Sequence, residues 1–219
     1  MSYPARLETS DERMVEGAAN GMEFSEQALI LAVRRFREID AWVRLLSPVR
    51  GVYTAFAFGG MKSRRRFLGC LDPLNHVQFK VRRSGYRSYH CLTEGRLLDS
   101  PRQLRTHPQR LGMAVNCLKF FEAVPIPAHS AAEAYALLRE LLAALDAAEA
   151  PSSLVPLLFR ARMTFLHGML PVCAHCAACG RALGEHGAVC HVEEGKILCP
   201  ACRSAASGGV RLPLSRGAL

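Results

Sequence analysis

Cysteine is the residue type with the clearest chemical pattern in this sequence. Six of the nine cysteines lie between Cys173 and Cys202, and four of them form two Cys-x2-Cys pairs, Cys176 with Cys179 and Cys199 with Cys202. A two-residue spacing lets a tight turn aim both sulfurs at one ion, and two such pairs complete a tetrahedral thiolate shell around Zn²⁺. We therefore predict one Zn²⁺ per chain, held by these four cysteines. A closed four-thiolate shell has no free position, so this zinc is expected to be structural.

Other donors and other chemistries compete for the same region. Cys173 and Cys176 offer a second Cys-x2-Cys register, and the spare donors nearby are Cys190, His175, His186 and His191. Gly180 favours the pairing of Cys176 with Cys179, because the turn after a ligand pair suits a residue that tolerates positive φ.

His191-Val192-Glu193 matches the H-x-E of zinc deaminases, but the cysteines that follow read C-P-A-C instead of P-C-x-x-C. A redox Cys-x2-Cys needs a βαβ context, which is absent from this sequence.

A basic segment is the second feature with chemical meaning. The whole formal charge of +9 lies between Met22 and Arg105, where 16 Lys and Arg residues outnumber 7 Asp and Glu residues. Because released counterions drive phosphate binding, this segment predicts a nucleic-acid partner; the alternative is a solvated basic face that keeps the protein soluble. The candidate nucleic-acid-binding residues are Arg34, Arg35, Arg37, Lys62, Arg64, Arg65, Arg66, Lys80, Arg82, Arg83 and Arg87. The basic loop, defined here as residues 61–66, is the preferred site within this set.

Short strands dominate the half of the chain that must position these basic residues. The predicted strands are residues 28–33, 41–47, 52–58, 76–81 and 86–92. Five short strands with no long helix among them indicate an OB-type barrel, since closure removes exposed strand edges. Trp42 is expected in the core. The other strand aromatics are left without a stacking role, because such residues more often pack inside.

The second half of the sequence is predicted to be helical. Residues 131–145 are rich in helix formers, and Ser130 with Glu133 fits a capping box at their start. A further helix is predicted over residues 153–170, with one apolar face made by Leu154, Leu157, Leu158, Ala161 and Phe165. The predicted fold class is therefore α+β and multi-domain, with an N-terminal OB-type five-stranded barrel and a helical C-terminal domain that carries a four-cysteine zinc finger.

The predicted organisation has five segments. These are a disordered extension (1–21), the OB-type barrel (22–98), the helical domain (99–172), a zinc-finger insertion (173–205) and a C-terminal segment (206–219). The first segment has no apolar core of a secretory signal, and no stretch reaches the ~18–20 apolar residues of a membrane helix. We expect a cytoplasmic protein with no membrane partner. The sequence has no P-loop and only scattered carboxylates in the barrel, so it is not expected to be an enzyme.

The order and spacing of several short motifs resemble the RecO family from about Met22 to Leu219. The motifs are Arg37-Glu38-Ile39-Asp40, Lys62-Ser63-Arg64, Leu71-Asp72-Pro73-Leu74, Cys176-Ala177-Ala178-Cys179-Gly180 and Lys196-Ile197-Leu198-Cys199-Pro200-Ala201-Cys202. The family usually continues into a further helix, so the C-terminal segment is expected to be shortened.

This resemblance implies a bacterial recombination mediator that takes part in recombinational DNA repair. RecO-like proteins bind single- and double-stranded DNA and anneal complementary strands. They help load RecA recombinase onto DNA coated by single-stranded DNA-binding protein, usually together with RecR, and they have no enzymatic turnover. The resemblance also implies association with the bacterial nucleoid during repair.

The alternative is a transcription or translation factor with an OB barrel and a zinc ribbon. Such a protein needs a basic finger, but residues 173–202 carry only Arg181 and Lys196 against Glu185, Glu193 and Glu194. The charge of the finger therefore favours the mediator.

Overall fold

The computed structural model describes residues 22–83, 89–168, 173–183, 187–204 and 209–215. The chain divides into two compact units, Met1–Arg160 and Ala161–Leu219. Arg87 and His186, which the sequence analysis named, lie outside the described residues. The boundaries of the five predicted segments stay predictions.

A closed five-stranded barrel forms the first part of the first unit. Its strands are β1 (Glu23–Phe36), β2 (Asp40–Ser47), β3 (Gly51–Ala57), β4 (His76–Arg83) and β5 (His90–Asp99). The order around the barrel is β1-β2-β3-β5-β4, and every pairing is antiparallel except that of β3 with β5. The parallel β3–β5 pairing is short, with Ala55 opposite His90 and Phe56 opposite Cys91. This architecture confirms the predicted α+β class with a five-stranded N-terminal barrel.

The barrel core follows from strict alternation along the strands. Successive side chains of a strand point to opposite faces, so every second residue enters the interior. The inward residues include Ala41, Val43 and Leu45 from β2 and Ala55 and Ala57 from β3, all of them fully buried. The core is completed by Ala28, Ile30, Phe67, Cys70, Val77, Phe79, Val81 and Leu92.

Two expectations about the barrel were wrong. The fifth strand was predicted over residues 86–92, but β5 runs from His90 to Asp99. Its second half contains Glu94, Gly95 and Arg96, which are poor strand formers, and its pairing with β4 overrides that preference. Trp42 was expected inside, but it is half-buried on the outer face, because Ala41 and Val43 on either side of it point inward.

Helices pack against the outside of this barrel. They are α1 (Arg102–Thr106), α2 (Pro108–Leu118), α3 (Phe120–Ala123) and α4 (Ala131–Ala147), and α4 lies against β2 and β3. Tyr135 of α4 bonds to Nε2 of His76 at 2.5 Å. Arg105 pairs with Asp72 at 2.8 Å, and its guanidinium also donates to Oδ1 of Asn75 at 2.8 Å. These buried and half-buried bonds tie the helices to the barrel within one unit.

The helix predictions were right for α4 and partly wrong elsewhere. Ser130 precedes α4 but makes no side-chain capping bond, and its hydroxyl donates to the carbonyl of Pro127 at 3.2 Å. The next helix, α5, spans Val155–Leu166, so it begins later and ends earlier than predicted.

The apolar face predicted for α5 is on the exposed side of the helix. The four large side chains of that face, Leu154, Leu157, Leu158 and Phe165, are all exposed. Phe159 and Met163, one helical turn apart, are buried instead. The ring of Phe159 contacts those of Phe120 and Phe121 at centroid distances of 6.5 and 6.1 Å.

The second unit contains a small antiparallel sheet. Its strands are β6 (Ala188–His191), β7 (Lys196–Leu198) and β8 (Arg211–Leu214), in the order β7-β6-β8. A single 3-10 turn, Pro200–Cys202, follows β7. Cys176, Leu198 and Cys199 are buried together beside this sheet, so the unit has a small core built around cysteine.

Candidate metal centre and nucleic-acid interface

Four cysteine sulfurs converge in the second unit. The Sγ atoms of Cys176, Cys179, Cys199 and Cys202 all lie within 4.8 Å of one another, and those of Cys179 and Cys199 are 3.8 Å apart. A regular tetrahedron with Zn–S bonds of ~2.3 Å has sulfurs about 3.8 Å apart. The donor set therefore fits a tetrahedral thiophilic ion such as Zn²⁺.

Backbone hydrogen bonds of the two Cys-x2-Cys turns build this geometry. Gly180 adopts a φ of +71° and donates its N–H to the carbonyl of Cys176 at 2.9 Å. Ala177 donates to the carbonyl of Ile197 at 2.9 Å, which joins the first turn to β7. The N–H of Cys199 points at Sγ of Cys176, 3.3 Å away. The first Cys-x2-Cys pair therefore contacts Cys199, the first cysteine of the second pair.

These contacts also shift the acidity of the thiols. The Cys199 N–H, followed by N–H groups within the first turn, lowers the pKa of Cys176 to about 6. The pKa of Cys202 is raised to about 12, first by its hydrogen bond with Cys179 and then by that with Cys199. Amides aimed at Cys176 favour its thiolate, which is the form that binds metal.

The rival donors lie outside this group. Among the described residues, only these four cysteines bring three or more metal-ligating side chains within reach of each other. Cys173, Cys190 and His175 do not join them, and His191 is buried without a hydrogen bond to either ring nitrogen in the described part of the chain. The structure therefore groups the residues of the preferred register; that they hold zinc stays a prediction.

The basic loop lies at the end of the barrel where the β1–β2 hairpin turns. Gly59 donates its N–H to Oδ1 of Asp40 at 2.7 Å, and Met61 donates to the carbonyl of Ile39 at 3.0 Å. The guanidinium of Arg66 donates to the carbonyl of Phe58 at 2.7 Å. These three bonds hold the loop and the residue pair before it against the start of β2 and the residue that follows β3.

Three cations of the basic loop stay accessible. Lys62, Arg64 and Arg65 are exposed, and within the described ranges no carboxylate forms an ion pair with any of them. Unpaired surface cations lose little on meeting a phosphate, since no internal partner has to be given up.

The remaining candidate cations have different surroundings. Lys80 pairs with Glu94 at 2.6 Å, so its charge is locally compensated. Arg82 is half-buried and lies opposite Glu23 in the β1–β4 ladder, whereas Arg83 is exposed. Arg35 is exposed at the end of β1.

Two further arginines lie against aromatic rings. The guanidinium carbon of Arg34 is 5.7 Å from the centre of the Trp42 ring, and that of Arg37 is 5.2 Å from the centre of Phe36. The structure thus assembles part of the predicted set around the basic loop; a DNA contact by any of these residues stays a prediction.

A set of aromatic side chains lies on the outer barrel face; the sequence alone left Phe56, Phe58 and Tyr89 without a role and placed Trp42 in the core. We call it the outer aromatic cluster; its members are Phe36, Trp42, Phe56, Phe58 and Tyr89. The alternation of side chains along β3 indicates this outward placement, because alanines flank Phe56 and occupy inward positions of the strand.

No helix within the described ranges combines the length and the apolar composition that a membrane span requires.

Comparison with known proteins identifies two family models along the chain. The model described as Recombination protein O N terminal matches residues 22–101, and that described as Recombination protein O C terminal matches residues 105–219. Among curated proteins, the DNA repair protein RecO of Solidesulfovibrio magneticus is 77% identical over 198 residues, which cover 90% of this chain and 80% of that protein.

More distant relatives carry the same name. The DNA repair protein RecO of Oleidesulfovibrio alaskensis is 48% identical over 189 residues, covering 86% of this chain and 76% of that protein. The DNA repair protein RecO of Symbiobacterium thermophilum is 31% identical over 196 residues, which cover 87% of this chain and 76% of that protein. The chain therefore belongs to the Recombination protein O family, RecO, whose members are DNA repair proteins and mediators rather than enzymes.

Proposed function

We propose that this chain is a DNA-binding recombination mediator in recombinational repair. It binds single- and double-stranded DNA, anneals complementary strands and helps load RecA onto DNA coated by single-stranded DNA-binding protein, with RecR acting beside it. It works in the bacterial cytoplasm, at the nucleoid during repair. The observation that carries the proposal is the accessible charge of Lys62, Arg64 and Arg65 on a closed barrel, none of which forms an ion pair with a described residue.

The physics of phosphate binding supports this role. Lys62, Arg64 and Arg65 are exposed in a loop that Met61 joins to Ile39, so these cations lie at the same end of the barrel as the β1–β2 turn with Arg37. Contacts to phosphate release condensed counterions and carry no sequence information. A protein that holds strands by their phosphates leaves base edges free to pair, which is what annealing of complementary strands requires.

The four-cysteine group is proposed to hold one structural Zn²⁺. Cys176, Cys179, Cys199 and Cys202 would supply the complete shell, and the ion would supply cross-linking of the two turns, with no open position for catalysis. The core of this unit is small and built around the same cysteines, so the ion would contribute to folding.

The alternative of a zinc-ribbon transcription or translation factor has less support. Lys196, one of two basic residues within 173–202, pairs with Glu194 at 3.0 Å. The finger therefore offers little free positive charge, and the family is RecO over both halves of the chain.

The test is strand annealing with complementary oligonucleotides coated by the cognate single-stranded DNA-binding protein. We expect the full chain to accelerate annealing of the coated strands, and a variant with Lys62, Arg64 and Arg65 changed to Ala to lose most of that acceleration. A variant with Arg162, Arg181 and Arg203 changed to Ala removes equal charge from exposed positions of the second unit and serves as the control. Wild-type protein that does not change the annealing rate at any concentration would refute the annealing role.

A further inference from the structure

The outer aromatic cluster lies on the outer barrel face, and four of its five rings, those of Phe36, Phe56, Phe58 and Tyr89, contact one another. Phe56 is at its centre, with ring centroids 5.8 Å from Phe36, 6.1 Å from Phe58 and 5.9 Å from Tyr89. Phe56 and Phe58 are stacked with an interplanar angle of 15°. Trp42 is the direct cross-strand partner of Phe56.

These rings are not part of the barrel core. Alternation turns Ala41, Val43, Ala55 and Ala57 inward and leaves Trp42, Phe56 and Phe58 on the outer face. Four of the five rings are half-buried, and Phe36 is 40% exposed. Clustered aromatic side chains that stay partly exposed on an outer face mark a candidate binding site.

Basic groups border this surface on two sides. Arg34, Trp42 and Phe56 form a row across β1, β2 and β3, with the guanidinium of Arg34 over the indole. Arg66, the last residue of the basic loop, donates to the carbonyl of Phe58, so the end of the loop lies beside the outer aromatic cluster.

Cations beside partly exposed aromatic rings match one class of ligand. An unpaired strand presents phosphates along one edge and base faces along the other, and proteins bind it with a basic groove and stacking aromatics. A duplex offers the same phosphates but hides the faces of its bases within the stack. An acidic protein partner could pair with the arginines but would have no flat π faces to offer five clustered rings.

We propose that the outer aromatic cluster is a base-stacking platform for single-stranded nucleic acid, with Trp42, Phe56 and Phe58 as its stacking residues and Arg34 and the basic loop holding the phosphates. The inference rests on the proposed DNA-binding function and deepens it. Each stacked base adds roughly 5- to 150-fold in affinity for an unpaired strand, which a duplex does not gain. The cluster therefore gives the barrel a preference for single strands that its charge alone cannot give.

Trp42 is the single tryptophan of the chain, so its fluorescence reports on the platform directly. Full-length protein is titrated at low salt with oligo-dT, with a blunt duplex of equal phosphate number, and with inorganic polyphosphate. Binding is followed separately by anisotropy of a labelled oligonucleotide, with each unlabelled ligand as competitor. We expect oligo-dT to quench Trp42 strongly, because a stacked base quenches indole emission, and polyphosphate to compete for the protein without that quenching.

Two outcomes separate the platform from the function on which it rests. If anisotropy shows that oligo-dT binds, but oligo-dT quenches Trp42 no more than polyphosphate does, the stacking platform is refuted. The proposed DNA binding then still stands. Absence of binding to any of the three ligands at low salt would overturn both.

A pair of variants tests the platform without relying on fluorescence. Phe56→Leu combined with Phe58→Leu keeps apolar bulk but removes the π faces; we expect oligo-dT affinity to fall by at least 5-fold, with duplex affinity and the salt slope unchanged. Phe120→Leu, at a half-buried aromatic of α3, is the matched control. Equal losses for oligo-dT and duplex, or no loss for either, in variants with wild-type melting temperature would refute the stacking role.

Discussion

Removing the accessible charge of the basic loop gives a quantitative test of how this protein binds DNA. The change is Lys62→Ala with Arg64→Ala and Arg65→Ala; Arg66 is kept because its guanidinium holds the carbonyl of Phe58 and thereby the shape of the loop. The three altered side chains are exposed and unpaired in the described part of the chain, so their loss leaves no buried charge behind.

The magnitude follows from counterion release. Each phosphate contact contributes about −0.7 to the log–log salt slope for single strands and about −0.9 for duplex DNA. If each of the three side chains binds one phosphate, the triple variant should have a slope flatter by about 2 units for single strands and about 2.7 units for duplex. Relative to a 1 M reference, this corresponds to roughly 100-fold weaker single-strand binding at 0.1 M salt, and to a difference that disappears as salt approaches 1 M.

The assay is fluorescence anisotropy of a labelled oligonucleotide over a salt series from about 50 to 400 mM, a range in which phosphate contacts change affinity steeply. Two unrelated sequences should weaken equally, because phosphates carry no base identity. The control with Arg162, Arg181 and Arg203 changed to Ala should keep the wild-type slope. A folded loop variant whose slope matches that of the wild type would refute the reasoning and show that this loop is only a solvated face.

Three further predictions concern the metal centre, the backbone and pH. Cys199→Ser should abolish bound zinc and destabilise the second unit, whereas Cys173→Ser should keep zinc at one per chain by elemental analysis; metal loss in both would contradict the ligand assignment. Gly51 has a φ of +70°, and an added Cβ would lie 2.7 Å from the carbonyl oxygen of Ile126, so Gly51→Ala should lower the free energy of unfolding by about 2 kcal/mol in denaturant melts. Burial lowers the pKa of His76, so the unfolded chain binds this proton more readily and stability should fall as pH drops below about 6.5. In the His76→Gln variant, the free energy of unfolding should fall less steeply over this pH range, by at most about 1.4 kcal/mol per pH unit. If the free energy of unfolding of both proteins falls in parallel with pH, His76 is not the cause of the decline.

Features with local causes were predictable from the sequence. Strands β2 and β3 and helix α4 lie within a residue or two of their predicted bounds, because alternation and helix propensity act over neighbouring residues. The cysteine group was predictable for the same reason, since two-residue spacing already brings each pair of sulfurs close.

Features that depend on distant partners were not predictable. Strand β5 extends through Gly95 only because β4 pairs along it, and an added Cβ at Gly95 would lie 2.9 Å from the Phe79 ring. The buried side of α5 is decided by Phe120 and Phe121, not by the number of leucines on the other side. The position of Trp42 needed the register of three strands, so a single large aromatic was wrongly assigned to the core.

The packing of α4 on the barrel has a consequence for the newborn chain. Leu29 and Leu46 lie outside the inner core of the barrel and are nevertheless buried, in the region where α4 packs against β2. About 50 residues separate the end of β5 at Asp99 from the end of α4 at Ala147. Synthesis of that stretch takes roughly 2–10 s, during which the barrel can close but its outer leucines have no cover. During this interval a ribosome-bound chaperone would protect the chain most by covering these leucines. On overexpression, the same uncovered leucines would favour aggregation over folding.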